Sequence, residues 1–221
     1  MNSSPPDLTI PSVEGDFHRW HGGREHALVW ALDVDRPDMR DLVAAAQARL
    51  DGLLVPGYHR QPHVTVSFAG LLGEPDLPAY GRDELERDLA AVRPTLAGPV
   101  DVRAAGWDSF LMAPYLAVDA PWLRQANAAL PGVPADAPAS YDPHVTVGLF
   151  AVAAPLDEVM ARLQAPVPEQ VWRVTHLSLM RYATRDIAGP LTTEGRLDLT
   201  TGEWSWEDDA LLVRAGQRTG R

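Results

Sequence analysis

Cysteine is missing from this 221-residue chain, which excludes disulfides, thiolate catalysis and cysteine-held zinc. Lysine is missing too: all 19 basic side chains are arginine, set against 30 acidic ones, for a net charge of −11. A chain with that balance is a poor candidate for gripping long duplex nucleic acid through its phosphates. A local arginine pocket for one terminal phosphate is still compatible with it. No apolar run reaches the length of a membrane span, so no membrane partner is expected. The N-terminus lacks a positive segment followed by an apolar one, and a cytoplasmic location is the resulting expectation. Length and a hydrophobic content of 46% suit one large domain or two small lobes.

What the chain does have is one pentapeptide written twice. Pro62-His63-Val64-Thr65-Val66 recurs as Pro143-His144-Val145-Thr146-Val147, 81 positions on. Both copies alternate polar and apolar residues, the period of a half-buried strand. His and Thr then share one face while the valines enter a core. Proline ahead of each histidine suits the first position of a strand, where no ladder donor is needed. A single His-x-Thr is most simply a hydrogen-bonded histidine. Duplication changes the reading, because packing alone would keep the valines and let the polar positions drift.

The paired His-x-Thr strands resemble those of the 2H phosphoesterase superfamily, in particular its 2'-5' RNA ligase and cyclic phosphodiesterase branch. The resemblance runs from about Phe17 to about Leu199 and takes in His26 to Val34, Arg60-Gln61-Pro62-His63 and Thr175 to Tyr182. It implies an α+β, bilobal fold: two antiparallel sheets flanked by helices, with a central cleft to which each lobe contributes one motif. Members of that family often carry a basic residue shortly after the second motif. Here Gly148-Leu149-Phe150 stands there, which counts against recognition of a long RNA.

Taken in order, residues 1–16 are expected to be disordered, 17–206 to form a single bilobal domain, and 207–221 to be a tail. His18 and His21 are spaced for a metal, but no third ligand is near and Gly22-Gly23 argues against a helix. A strand is expected over His26 to Val34, then a helix from Pro37 that stops at Gly52. The first motif strand ends near Gly70, and residues 70–82 read as a loop. Asp83 to Val92 reads as a helix with an acidic start. Strands follow over Val100 to Trp107 and Tyr115 to Val118, then a short helix from Pro121 capped by Asp119. The proline-rich residues 131–143 read as a loop delivering the second motif strand, which ends near Phe150. Leu156 to Leu163 is expected as a helix, Val171 to Tyr182 as one long strand, and Leu191 to Trp206 as a hairpin.

Imidazole titrates near pH 6.5, so two of them hold one proton between them near neutrality. One draws a proton from water while the other hands its proton to a departing ribose oxygen, on opposite sides of one phosphorus. Thr65 and Thr146 donate to the non-bridging oxygens. The expected activity is therefore a phosphodiesterase working on 2',3'-cyclic phosphate or 2'-5' linkages, with 2'-5' ligation as its reverse and with no metal or other cofactor. Its partner is a small nucleotide or an RNA terminus, and the protein is expected to be a monomer. His63, Thr65, His144 and Thr146 are the catalytic candidates; Tyr141, Arg60 and Arg181 are the candidate phosphate contacts. Trp30, Trp107, Phe110 and Tyr115 are better explained by core packing than by stacking on a base. His59 and His176 read as structural, and Asp142 as a turn residue. Two other readings compete: a non-catalytic nucleotide- or RNA-end-binding module on the same fold, and a hydrolase using His63 and His144 as metal ligands.

Overall fold

β1 (His26–Asp33) is apolar through its whole interior, with all six central residues buried, as a strand needs when it is covered on both faces. The computed structural model describes residues 7–72, 79–130 and 141–212. After β1, Pro37 opens α2 (Pro37–Arg49) at its first turn, where a missing N–H costs nothing, and Gly52 follows at φ 77. β2 (His63–Leu71) carries the first motif, and α3 (Arg82–Val92) begins with Asp83 and Glu84, which complement the helix dipole. The hairpin β3 (Val100–Ser109) and β4 (Pro114–Asp119) leads to α4 (Pro121–Ala129), whose N-cap is Ala120 rather than Asp119. β5 (His144–Thr146) carries the second motif and is only three residues long; Phe150 lies beyond it, in an isolated bridge to Leu54. α5 (Leu156–Leu163) matches the sequence expectation.

The expected strand from Val171 to Tyr182 is two strands that part at Thr175. β6 (Val171–Val174) pairs with β3, whereas β7 (His176–Ala183) pairs with β1 in the other half of the molecule. Burial alternates through Trp172 and Val174, then slips by one residue at Thr175-His176 before resuming at Leu177, so two consecutive polar residues mark the break in the apolar pattern. β8 (Thr192–Asp198) and β9 (Trp204–Trp206) form the expected terminal hairpin.

The fold is α+β with every strand pairing antiparallel, but the two expected sheets are one. Its order is β6-β3-β4-β5-β2-β1-β7-β8-β9. The join is a single register pair between the motif strands, Val64 opposite Val145. It leaves no free edge in the middle of the molecule. The main core lies on the valine face of this seam, where Val64, Val66 and Val145 meet Trp30, Leu116, Leu85 and Leu89 of α3, and Leu123 and Ala126 of α4. The halves also hold each other across it. The Asn127 side-chain amide of α4 donates to the Val66 carbonyl at 2.7 Å, and that of Gln47 of α2 donates to the Val147 carbonyl at 2.8 Å. Each motif strand is thus gripped by the helix that precedes the other motif.

Two expectations about the ends change. Residues 7–16 are tied down: Thr9 N–H donates to Ala154 O at 2.9 Å and Ser12 N–H to Phe150 O at 2.7 Å, and Thr9 is buried. A helix, α1 (Asp16–Trp20), forms despite Gly22-Gly23, because it ends just before them; both glycines adopt positive φ to turn the chain. At the other end Ala210 and Leu212 are buried, so packing continues beyond residue 206. The rest of the expected tail, 213–221, and the first six residues lie outside the described residues, as do 73–78 and 131–140 of the two expected loops. Among the described residues, no helix is long and apolar enough to cross a membrane.

Candidate active site

Antiparallel register determines the site. With Val64 opposite Val145, His63 faces Thr146 and Thr65 faces His144, all on the surface away from the valine core. Directly opposed side chains on such a ladder start about 5 Å apart, and the diagonal His63–His144 pair about 7–8 Å apart.

Each imidazole is aimed by the residues that lead into its own strand. His63 Nδ1–H donates to the Gln61 carbonyl at 2.8 Å, and His144 Nδ1–H to the Asp142 carbonyl at 2.7 Å. A carbonyl only accepts, so in both rings the proton of the neutral form sits on Nδ1. Nε2 is left as the basic nitrogen. Among the described residues neither Nε2 has a partner, and neither do the hydroxyls of Thr65 and Thr146. The lead-in sequences differ, Gln61-Pro62 against Asp142-Pro143, but make the same hydrogen bond.

Their surroundings differ. His63 is buried, and burial pushes its pKa down to about 4; Arg60 and His144 push the same way, while the bond to Gln61 opposes them. His144 is partly exposed, and its pKa is also lowered by burial, but the Asp142 carbonyl and carboxylate both favour its charged form. Phe110 and Tyr115 pack on the His144 ring with centroids 4.9 and 5.1 Å away. The Tyr115 hydroxyl is hydrogen-bonded to Asp108, and burial chiefly pushes its pKa up to about 12.

A cavity of about 200 Å³ opens beside His63, Thr65 and Thr146; its walls include Arg60, Tyr58, Tyr182, Phe17 and Leu149. Arg60 is the one cation in this lining. Its Nε donates to the Gly189 carbonyl at 2.9 Å and its guanidinium lies 4.9 Å from the Tyr182 ring centre. No carboxylate among the described residues pairs with it. A larger cavity of about 460 Å³, lined by Arg82, Leu85, Trp204 and Trp206, lies between α3 and β9 and holds neither histidine nor threonine. Glu86 and Arg93 line it too, but neither motif strand contributes a side chain to it.

Two of the expected phosphate contacts are placed elsewhere. Arg181 neighbours Tyr182 on β7 and so points to the opposite face, where it pairs with the fully buried Glu194 and, at 3.5 Å, with Asp209. Tyr141 packs against the main core and donates its hydroxyl to the Thr65 carbonyl at 2.8 Å, bracing the first motif strand from behind. Trp30 is fully buried and bonded to Asp88, and Trp107 packs in the core, as the packing reading expects. Phe110 differs: it is 38% exposed beside His144. His59 and His176 bond locally, to Gly57 O and Thr175 Oγ1. Tyr58, Phe17 and Leu149 have no individual signal in the sequence. Their part in the cavity depends on contacts between segments far apart in the chain. Among the described residues no three His, Cys, Asp or Glu side chains gather as a metal site.

Residues 34–186 match the family model described as the 2'-5' RNA ligase superfamily, more than half of the chain. The protein belongs to that superfamily of 2H phosphoesterases, and membership supports phosphodiesterase-type activity in the broad sense. Among solved structures it is similar to TT0787 of Thermus thermophilus, at 19% identity over 78% of this chain and 97% of that one, TM-score 0.46. It is also similar to E. coli LigT complexed with 3'-AMP, at 17% identity over 80% and 100%, TM-score 0.48. Usb1 of Kluyveromyces marxianus aligns at 16% identity over 76% and 96%, TM-score 0.39. No curated protein matches.

Proposed function

We propose that this protein is a phosphodiesterase that opens 2',3'-cyclic phosphates or cleaves 2'-5' linkages of nucleotides and RNA ends without a metal. The observation that carries the reading is the matched pair of imidazoles: both Nδ1 atoms spent on a carbonyl two residues back, and both Nε2 atoms free on one face between two threonines. In this reading His63, kept neutral by burial and by Arg60, is the base. It takes a proton from water as the water oxygen bonds to phosphorus. The bond from phosphorus to one ribose oxygen breaks, and that oxygen receives the proton of His144, whose charged form Asp142 favours. Water is consumed and a phosphomonoester results. Thr65 and Thr146 donate to the non-bridging oxygens as charge builds on them, and Arg60 offsets the charge of the phosphate.

Incubation of the purified protein with adenosine 2',3'-cyclic phosphate after exhaustive EDTA treatment tests this directly. The expected result is conversion to a single adenosine monophosphate isomer at an undiminished rate. Loss of activity on chelation with recovery on zinc or manganese would replace the acid/base reading by a metal-dependent one.

A further inference from the structure

The cavity beside His63 is lined in part by a side chain from outside the family match. Phe17, of α1, joins Tyr182, Leu191 and Val29 in walling the β1–β7 side, and it precedes the first matched residue, 34. Resting on the phosphodiesterase reading above, we propose that Phe17 is a specificity-determining wall. It restricts the enzyme to phosphates that carry a nucleoside on one side only, such as cyclic termini, and excludes internal 2'-5' linkages and the joining reaction.

Five residues of helix do not hold together alone, so α1 keeps its place only through what it touches. Its seat is well defined. The Tyr182 hydroxyl lies 2.9 Å from His21 Nε2, and His21 Nδ1–H donates to the Phe17 carbonyl, so both ring nitrogens have a partner. His18 Nδ1 meets Thr184 Oγ1 at 3.0 Å, and the Thr184 hydroxyl in turn donates to the Arg24 carbonyl. The Phe17 ring stands edge-on to Tyr182, centroids 6.4 Å apart, and stacks on His21 at 6.2 Å. The two histidines that invite a metal reading from their spacing are the fastenings of this wall.

Volume makes the wall matter. Pockets that take whole drug-sized ligands run from about 300 Å³ upward, and about 200 Å³ here has to hold the phosphate as well. Past His63 there is room for water or a small group. On the other side Phe110 is 38% exposed against the His144 ring, outside the cavity lining, and in this proposal it is where the nucleoside extends. An internal linkage or a ligation acceptor needs a nucleoside at both ends, and Phe17 occupies the second place. This asymmetry agrees with His63 serving water and His144 serving the ribose oxygen.

The test compares kcat/KM of the full-length protein for adenosine 2',3'-cyclic phosphate and for a 2'-5'-linked adenylate dimer. Wild type is expected to favour the cyclic substrate at least 100-fold. Phe17→Ala should lower that preference at least tenfold through a gain on the dimer, while Phe17→Leu, which keeps a wall, should not. His18→Ala leaves every lining side chain in place but cuts the tie to Thr184, and should move the preference the same way. It carries the test if Phe17→Ala melts below the assay temperature. Comparable wild-type rates on both substrates, or an unchanged preference in the folded variants, would overturn the wall and leave the phosphodiesterase reading standing. Inactivity of the wild type on both would overturn that reading and the wall with it.

Discussion

Val64 and Val145 form the one register pair that joins the two motif strands, and the pair decides which polar side chains meet. Because strand side chains alternate, placing valine on valine sets His63 against Thr146 and Thr65 against His144. A slip of one residue would turn one motif into the core.

If the two imidazoles act as one unit, removing either should cost most of the rate. His63→Ala and His144→Ala should each lower single-turnover cleavage of a 2',3'-cyclic nucleotide by about 10²- to 10⁴-fold. The double variant should be little worse than either single, since groups that act together are strongly non-additive. Thr65→Val and Thr146→Val should cost roughly one to two powers of ten. A single His variant with near wild-type turnover would show that the pair does not work as proposed.

The pH dependence follows from which form each ring needs. His63 must be neutral, so activity falls only as pH drops through about 4. His144 must be charged, and its pKa lies below the ordinary 6.5, so kcat/KM falls as pH rises through that lowered value. The optimum for kcat/KM is therefore expected on the acid side of neutrality. The anionic substrate should shift both limbs of kcat upward, because bound negative charge favours both imidazolium forms. Asp142→Asn should move the alkaline limb of kcat/KM to lower pH by removing a carboxylate that favours charged His144. An unmoved limb would show that His144 is not the acid.

Stability should follow His63 as well. Its folded pKa of about 4 lies below the unfolded value near 6.5, so the unfolded chain binds the proton first. The contribution is intact above pH 6.5 and is lost as pH falls from there to about 4. Thermal melts of His63→Gln should therefore lose less Tm across that window than those of wild type. Parallel curves would mean that the ring is not held neutral.

Arg60 and Arg181 should separate cleanly. Arg60→Met removes the cation of the cavity lining and should raise KM about 10- to 100-fold, the worth of a charge-assisted hydrogen bond. It should lose less Tm than Arg181→Met, because what goes is its tie to the Gly189 carbonyl and its contact with Tyr182. Arg181→Met leaves Glu194 buried without its partner and should cost about 3–5 kcal/mol of stability. Its folded fraction should keep the wild-type KM. Denaturant melts with Michaelis–Menten kinetics on both variants check the pair; a raised KM in folded Arg181→Met would return that residue to the site.

The repeated motif, its strand period and the proline before each histidine were legible in the chain, because alternation and a missing donor are properties of neighbouring residues. So were α2, through Pro37 at its start and Gly52 after its end, and α5, as a helix over Leu156 to Leu163. What the chain by itself determined was therefore local: two strands, each offering an imidazole and a hydroxyl on one face. Tertiary structure decided which side chains share a cavity. Arg60 and Arg181 read alike as exposed arginines near strand ends, but β7 turns Tyr182 to the site and Arg181 to Glu194. The apolar alternation slips by one residue at Thr175-His176, but only the pairing shows that β6 and β7 go to different halves there. Phe17 reaches the site from far upstream because His18 and His21 find Thr184 and Tyr182 there. Pairing partners, strand faces and the two different environments of His63 and His144 arise from contacts between distant segments. Those are settled by the register of the continuous sheet and not by any short stretch of sequence.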